Sequence, residues 1–134
     1  MVKDHDALMA LLESHWKLWQ HEVSVALSSD PPTTFIAKRS GKICAFASYD
    51  GNNLGTGWFG PMGTLPGMEG KGLGKLLLYR CLRDMKDNGH TFSIIPWVAP
   101  VGFYAHHAGA RIHRVFWRYE KKLTENKIQA EPKE

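Results

Sequence analysis

Apolar and polar positions change rhythm several times along the chain, and each change marks an element. From Ala7 to Leu27 the apolar residues Leu8, Leu11, Leu12, Trp16, Trp19, Val23 and Leu27 recur at helical spacing. This predicts one helix, capped by Asp4 or Asp6 and ended by Ser28-Ser29-Asp30-Pro31-Pro32. Three strand-like segments follow: Thr33–Arg39, Ile43–Tyr49 and Leu54 to about Thr64, separated by turns at Ser40-Gly41-Lys42 and Asp50-Gly51-Asn52-Asn53. The third holds Gly55, Gly57, Gly60 and Gly63, which points to a bulge or to a close approach by another backbone or a ligand. Residues 72–88 return to helical spacing at Leu73, Leu76, Leu77, Cys81 and Met85, and Asn88-Gly89 ends that helix. Thr91–Ile95 reads as a short strand, Val101–Ala108 as a short helix stopped by Gly109, and Ile112–Glu120 as a β-branched and aromatic strand.

The order α-β-β-β-α-β-α-β gives a mixed α/β fold around one sheet. Tight turns make the first three strands an antiparallel meander, and Leu54–Thr64, helix 72–88 and strand 91–95 form a βαβ unit whose strands run parallel. At 134 residues this is one domain, taken as 1–122, with a polar tail over 123–134. No apolar run approaches the roughly 20 residues that span a bilayer, and the N-terminal residues do not read as a secretory signal. Cys44 and Cys81 are too few for a disulfide scaffold and read as small buried hydrophobes. The expected location is cytoplasmic, without membrane association.

Charge sharpens the picture. The net charge is +4. Residues 1–30 carry Lys3 and Lys17 against Asp4, Asp6, Glu13, Glu22 and Asp30, a net of −3, so the remainder carries +7. A polyanion is the expected partner of the later part, either nucleic acid or a phosphate-rich cofactor. No RNP-type aromatic motif or zinc finger supports nucleic acid, and the expectation is none. The seven histidines show no zinc spacing, so no metal is expected.

The chemistry concentrates at Leu65-Pro66-Gly67-Met68-Glu69-Gly70-Lys71-Gly72-Leu73-Gly74-Lys75. A glycine loop entering a helix is an anion site: the first amides lack partners, the helix dipole adds about half a positive charge, and glycine lets the anion approach. Lys71 and Lys75 add charge. The loop fits neither a Walker loop nor a G-x-G-x-x-G fingerprint.

It does resemble the acetyl-CoA loop of the GNAT family of N-acetyltransferases, (Arg/Gln)-x-x-Gly-x-(Gly/Ala). Gly72 and Gly74 match, and Glu69 stands at the first position. Downstream, Gly102-Phe103-Tyr104-Ala105-His106-His107-Ala108-Gly109-Ala110 resembles the family's Phe-Tyr-x-x-x-Gly-(Phe/Ala) segment with one extra residue before the glycine. The resemblance spans residues 33–120. It implies a GNAT-like acyl-CoA N-acyltransferase fold, with a short N-terminal part in which one helix stands for the usual strand and two helices. It further implies acetyl-CoA as co-substrate and direct transfer of the acetyl group to a primary amine of a small molecule or peptide. Cofactor contacts then fall on Met62, Thr64, Leu65, Glu69, Gly70, Lys71, Gly72, Leu73, Gly74 and Lys75, and Tyr104 takes the place of the general acid. Trp58 and Trp97, flanking the two strands, are candidates to line the acceptor pocket. Glu69, and Trp97 where many members carry asparagine, leave open a non-catalytic acyl-CoA-binding module of the same fold. A homodimer is also left open.

Overall fold

The computed structural model describes residues 2–123. The predicted polar tail falls almost wholly outside them. Helix α1 (Val2–His15) is followed by a 3₁₀ turn (Lys17–Trp19), helix α2 (Gln20–Ser28), strands β1 (Thr34–Arg39), β2 (Lys42–Tyr49) and β3 (Phe59–Thr64), helix α3 (Leu73–Asp87) and helix α4 (Val101–Ala108).

β1, β2 and β3 form an antiparallel sheet in that order, as the turn signals require. Ser40 and Gly41 both take positive φ (51° and 77°), the backbone of a two-residue hairpin turn that matches strand twist. β2 is central and buried from Ile43 to Tyr49. Ala45, Ala47 and Tyr49 face α3, joined by Phe59, Leu77, Leu78, Cys81 and Met85. Phe46 and Ile43 face the N-terminal helices, with Leu8, Leu12 and Val23. A register shift between Ala37 and Lys38 makes Cys44 the extra residue of a bulge, which turns Ile43 to the same face as Phe46. The sheet is thus covered on both faces.

Four elements differ from the sequence expectation. The single helix 7–27 is two helices broken at Trp16, which leaves helical geometry at φ −143°, ψ 55°. The break lets Trp16 and Trp19 turn onto Phe46, at 5.4 and 6.2 Å between ring centroids, and that packing outweighs helical continuity. Residues 54–58 are loop rather than the start of β3. On α3 the buried stripe is Leu77, Leu78, Cys81 and Met85, whereas Leu76 is 62% exposed. Finally, Ile112–Glu120 is not a strand: it is extended, exposed and unpaired among the described residues. A strand needs a ladder partner, and α4 does not return the chain to an edge.

Strand 91–95 contracts to one parallel bridge, Trp58 to Ile94. Two hydrogen bonds hold it: Phe59 N–H to the Ile94 carbonyl at 2.8 Å and Ile94 N–H to the Gly57 carbonyl at 2.9 Å. The parallel sense of the βαβ unit stands. Two glycines of this region serve close approach. A Cβ on Gly63 would lie 2.8 Å from the Trp16 indole, and one on Gly57 2.8 Å from the Phe92 carbonyl oxygen. No helix among the described residues is long and apolar enough to cross a membrane.

Candidate acyl-CoA site

The loop at 65–72 turns from β3 into α3. Gly67, Gly70 and Gly72 all have positive φ, and at Gly72, the N-cap, φ is 80°. A side chain at Gly70 or Gly72 would meet nothing within 4 Å, so the glycines serve the loop conformation and leave the space above it open. The first helical bond is Leu76 N–H to the Gly72 carbonyl at 3.0 Å. Among the described residues the amides of Gly70 to Lys75 therefore donate to nothing, and they form the cradle of unpaired donors that an anion needs. Glu69, Lys71 and Lys75 are exposed, and Glu69 forms no ion pair with either lysine. Lys75 lies 5.7 Å above the Tyr79 ring.

β3 ends beside this cradle. Leu65 N–H donates to the Cys44 carbonyl at 2.9 Å, which spends that amide on β2. By alternation, the backbone polar groups of Thr64 and Met62 point to the opposite edge, where no described strand lies. Beyond the Trp58–Ile94 bridge, β3 and the segment at 95 part company, because Pro96 and Pro100 carry the chain away. The result is an open notch with a free strand edge on one side and α4 near its mouth.

Gly74 joins the two sequence motifs. Its Cβ position is 3.6 Å from the Phe103 ring and 3.8 Å from the Met62 methyl, ordinary van der Waals contact. α4 thereby lies across the start of α3. The next residue, Tyr104, is half-buried and meets Phe59 edge-on at 6.0 Å and Phe103 at 5.1 Å. Burial raises its phenol above the usual value of 10.0. Its hydroxyl makes no hydrogen bond with a described residue, yet it is not sealed from solvent.

The only other deeply placed phenol here is Tyr49, and it is fully engaged. It donates to Asp84 at 2.6 Å and accepts from the Asn88 amide at 3.2 Å, with burial and the Asp84 carboxylate pushing its pKa well up. A family model for the acetyltransferase (GNAT) family matches residues 4–110. The chain belongs to the GNAT family. No curated protein matches it significantly. Family membership indicates an acyltransferase of the acyl-CoA-using kind, and the match includes both N-terminal helices, so the N-terminal part is less reduced than the one-helix reading implied.

Other expected residues of this GNAT chain are placed as follows. Leu73 is half-buried against the core and contributes its amide. Trp58 is half-buried at the bridge, and Trp97 is 94% exposed at φ 54°. No ring contact joins them, and the two best-formed hollows, about 390 and 300 Å³, lie away from both and from the loop. Phe103 and His107 are additions. Phe103 seats α4 on Gly74, and His107 stacks edge-on against Phe103 at 4.8 Å. Partial desolvation, then the charges of His106 and Lys75, lower the His107 pKa below 6.5. The adjacency of Phe103 to Tyr104 could have flagged the first; only tertiary placement brings Lys75 to the second. No group of three or more metal-ligating side chains occurs among the described residues.

Proposed function

We propose that the protein is an acetyl-CoA-dependent N-acetyltransferase that transfers the acetyl group directly to a primary amine of a small molecule or peptide. The observation that carries this reading is the cradle of unpaired amides at 70–75 held beside the unsealed Tyr104 hydroxyl through the Gly74–Phe103 contact.

The amides of Gly70 to Lys75 bind the pyrophosphate, and Lys71 and Lys75 add charge. The free edge at Met62 and Thr64 pairs with the amides of the pantetheine arm as a strand would. In the transfer the amine nitrogen forms a bond to the thioester carbonyl carbon, and backbone donors of the bent strand hold the oxygen as it becomes negative. The C–S bond then breaks, and Tyr104 gives its proton to the leaving sulfur, a task for which a phenol protonated at neutral pH is suited. Water carries the ammonium proton to bulk and restores the phenol. Trp58 is proposed to line the acceptor side. Two buried free cysteines suit a reducing, cytoplasmic compartment.

A panel of amines with acetyl-CoA, read by thiol release, tests the reading. Release with at least one amine class supports it. Coenzyme A binding without release from any amine would favour the non-catalytic acyl-CoA-binding module. No binding would remove both.

A further inference from the structure

The last described stretch is out of character with everything before it. Ile112, Val115, Phe116, Trp117, Tyr119 and Leu123 are between 68% and 88% exposed. Among the described residues, no backbone group from Ile112 to Leu123 is hydrogen-bonded. Yet the stretch has the composition and alternation of a half-buried strand. His113, Val115, Trp117 and Tyr119 fall on one side, and Ile112, Arg114, Phe116, Arg118 and Glu120 on the other.

The same chain leaves a sheet edge bare. Ile94 spends its N–H and carbonyl on Gly57 and Phe59. By alternation Ser93 and Ile95 turn theirs outward, where no described backbone meets them. Phe92 beside them is 67% exposed. An open edge next to exposed apolar side chains is a template for pairing.

We propose that two copies of this chain exchange these segments: residues 112–120 of each lie along the 93–95 edge of the other, across a two-fold axis. Three considerations select a second copy. One chain carries both a strand without an edge and an edge without a strand, so a reciprocal exchange satisfies both at once; a different partner would have to supply both. The chain past the Gly109 cap runs clear of its own sheet, which leaves the edge free to receive. The area is also adequate. Phe116, Trp117 and Tyr119, at about 150–250 Å² each, offer about 450–750 Å² per copy, so the exchange buries about 900–1,500 Å² from these rings alone. Stable interfaces bury about 1,200–2,000 Å² in total. The exchange puts the incoming strand beside the Ile94 bridge, so each copy would wall the notch of the other. The proposal stands on unpaired backbone and exposed rings and does not depend on the reaction.

Light scattering on the full chain from micromolar to submillimolar concentration, with hydrogen exchange at both ends of the range, tests it. We expect a dimer at high concentration, with amides of 112–120 and of Ser93 and Ile95 protected together, and loss of both protections on dilution to monomer. Trp117→Glu/Tyr119→Glu should be monomeric at every concentration with unchanged helical circular dichroism; dilution of the wild-type chain gives the same comparison without a substitution. A monomer throughout overturns the proposal, as does a dimer that survives the double substitution. Protection of 112–120 in a monomer would also overturn it, since the strand would then dock in its own chain.

Discussion

The two ends of α3 carry similar numbers of polar groups and treat them in opposite ways. At the C-terminal end every polar partner is spent inside the protein. Tyr49 donates to Asp84 and accepts from Asn88, Asp50 accepts from Gly57 N–H at 3.1 Å, and His90 stands 3.4 Å from Asp50. No buried side-chain nitrogen or oxygen among the described residues lacks a partner. At the N-terminal end the loop amides have no partner and the Tyr104 hydroxyl has none. A closed network adds rigidity and has nothing to offer a ligand. Unpaired donors are tolerable only where water or a ligand reaches them. The contrast teaches that the open end is where chemistry can occur, and that a tyrosine's depth alone does not mark it as functional.

The sharpest way to break this comparison is to remove one hydroxyl at each end. Tyr104→Phe should lower turnover by roughly ten- to a thousandfold with acetyl-CoA affinity and stability little changed, because the lost proton donor acts only in the transition state. Steady-state kinetics with a substrate limited by chemistry checks this; unchanged turnover returns Tyr104 to packing. Its pH dependence has a definite sign. Burial raises the Tyr104 pKa above 10.0, so loss of the donor by deprotonation belongs above pH 10 and turnover should show no Tyr104-dependent fall below it.

Next in size is the effect of the ligand itself. At one hundred times its dissociation constant, acetyl-CoA bound at the open end should add about 2.7 kcal/mol to stability. Thermal unfolding with and without coenzyme A reads it, and no shift at millimolar ligand would sink the site. At the closed end Tyr49→Phe leaves Asp84 with a missing donor and should cost about 1–3 kcal/mol in denaturant unfolding. Turnover should not change, which is the opposite profile to Tyr104→Phe. Equal profiles for the two would mean that the two ends are not distinct in function.

The smallest expected effect concerns Glu69. A carboxylate at a helix N-terminus competes with phosphates for the same field, a contribution of about 0.3–1 kcal/mol when partly exposed. Glu69 pairs with neither Lys71 nor Lys75, so it has no evident role in holding them. Glu69→Gln should therefore tighten acetyl-CoA binding a few-fold at low salt and less as the Debye length falls toward about 8 Å at physiological ionic strength. Calorimetric titration at two ionic strengths decides it; weaker binding at both would show that the carboxylate shapes the loop.

The sequence by itself determined what depends on neighbours along the chain. The hairpin at Ser40-Gly41, the loop glycines, the helix at 73–87 and the 101–108 helix with its Gly109 cap are local: glycine permits positive φ, and apolar spacing selects a buried face. The motifs at 69–74 and 102–110 were legible for the same reason, and the match over residues 4–110 agrees with them. Tertiary structure alone decided the rest. Helical spacing runs unbroken through Trp16, and only the presence of Phe46 and Gly63 on the sheet makes a turn there favourable. Tyr49 and Tyr104 look alike as residues; one is closed by Asp84 and Asn88, distant by 35 and 39 positions, and the other is left open. Ile112–Glu120 has every local property of a strand, but a strand exists only when another backbone supplies its hydrogen bonds, and no described part of this chain does so.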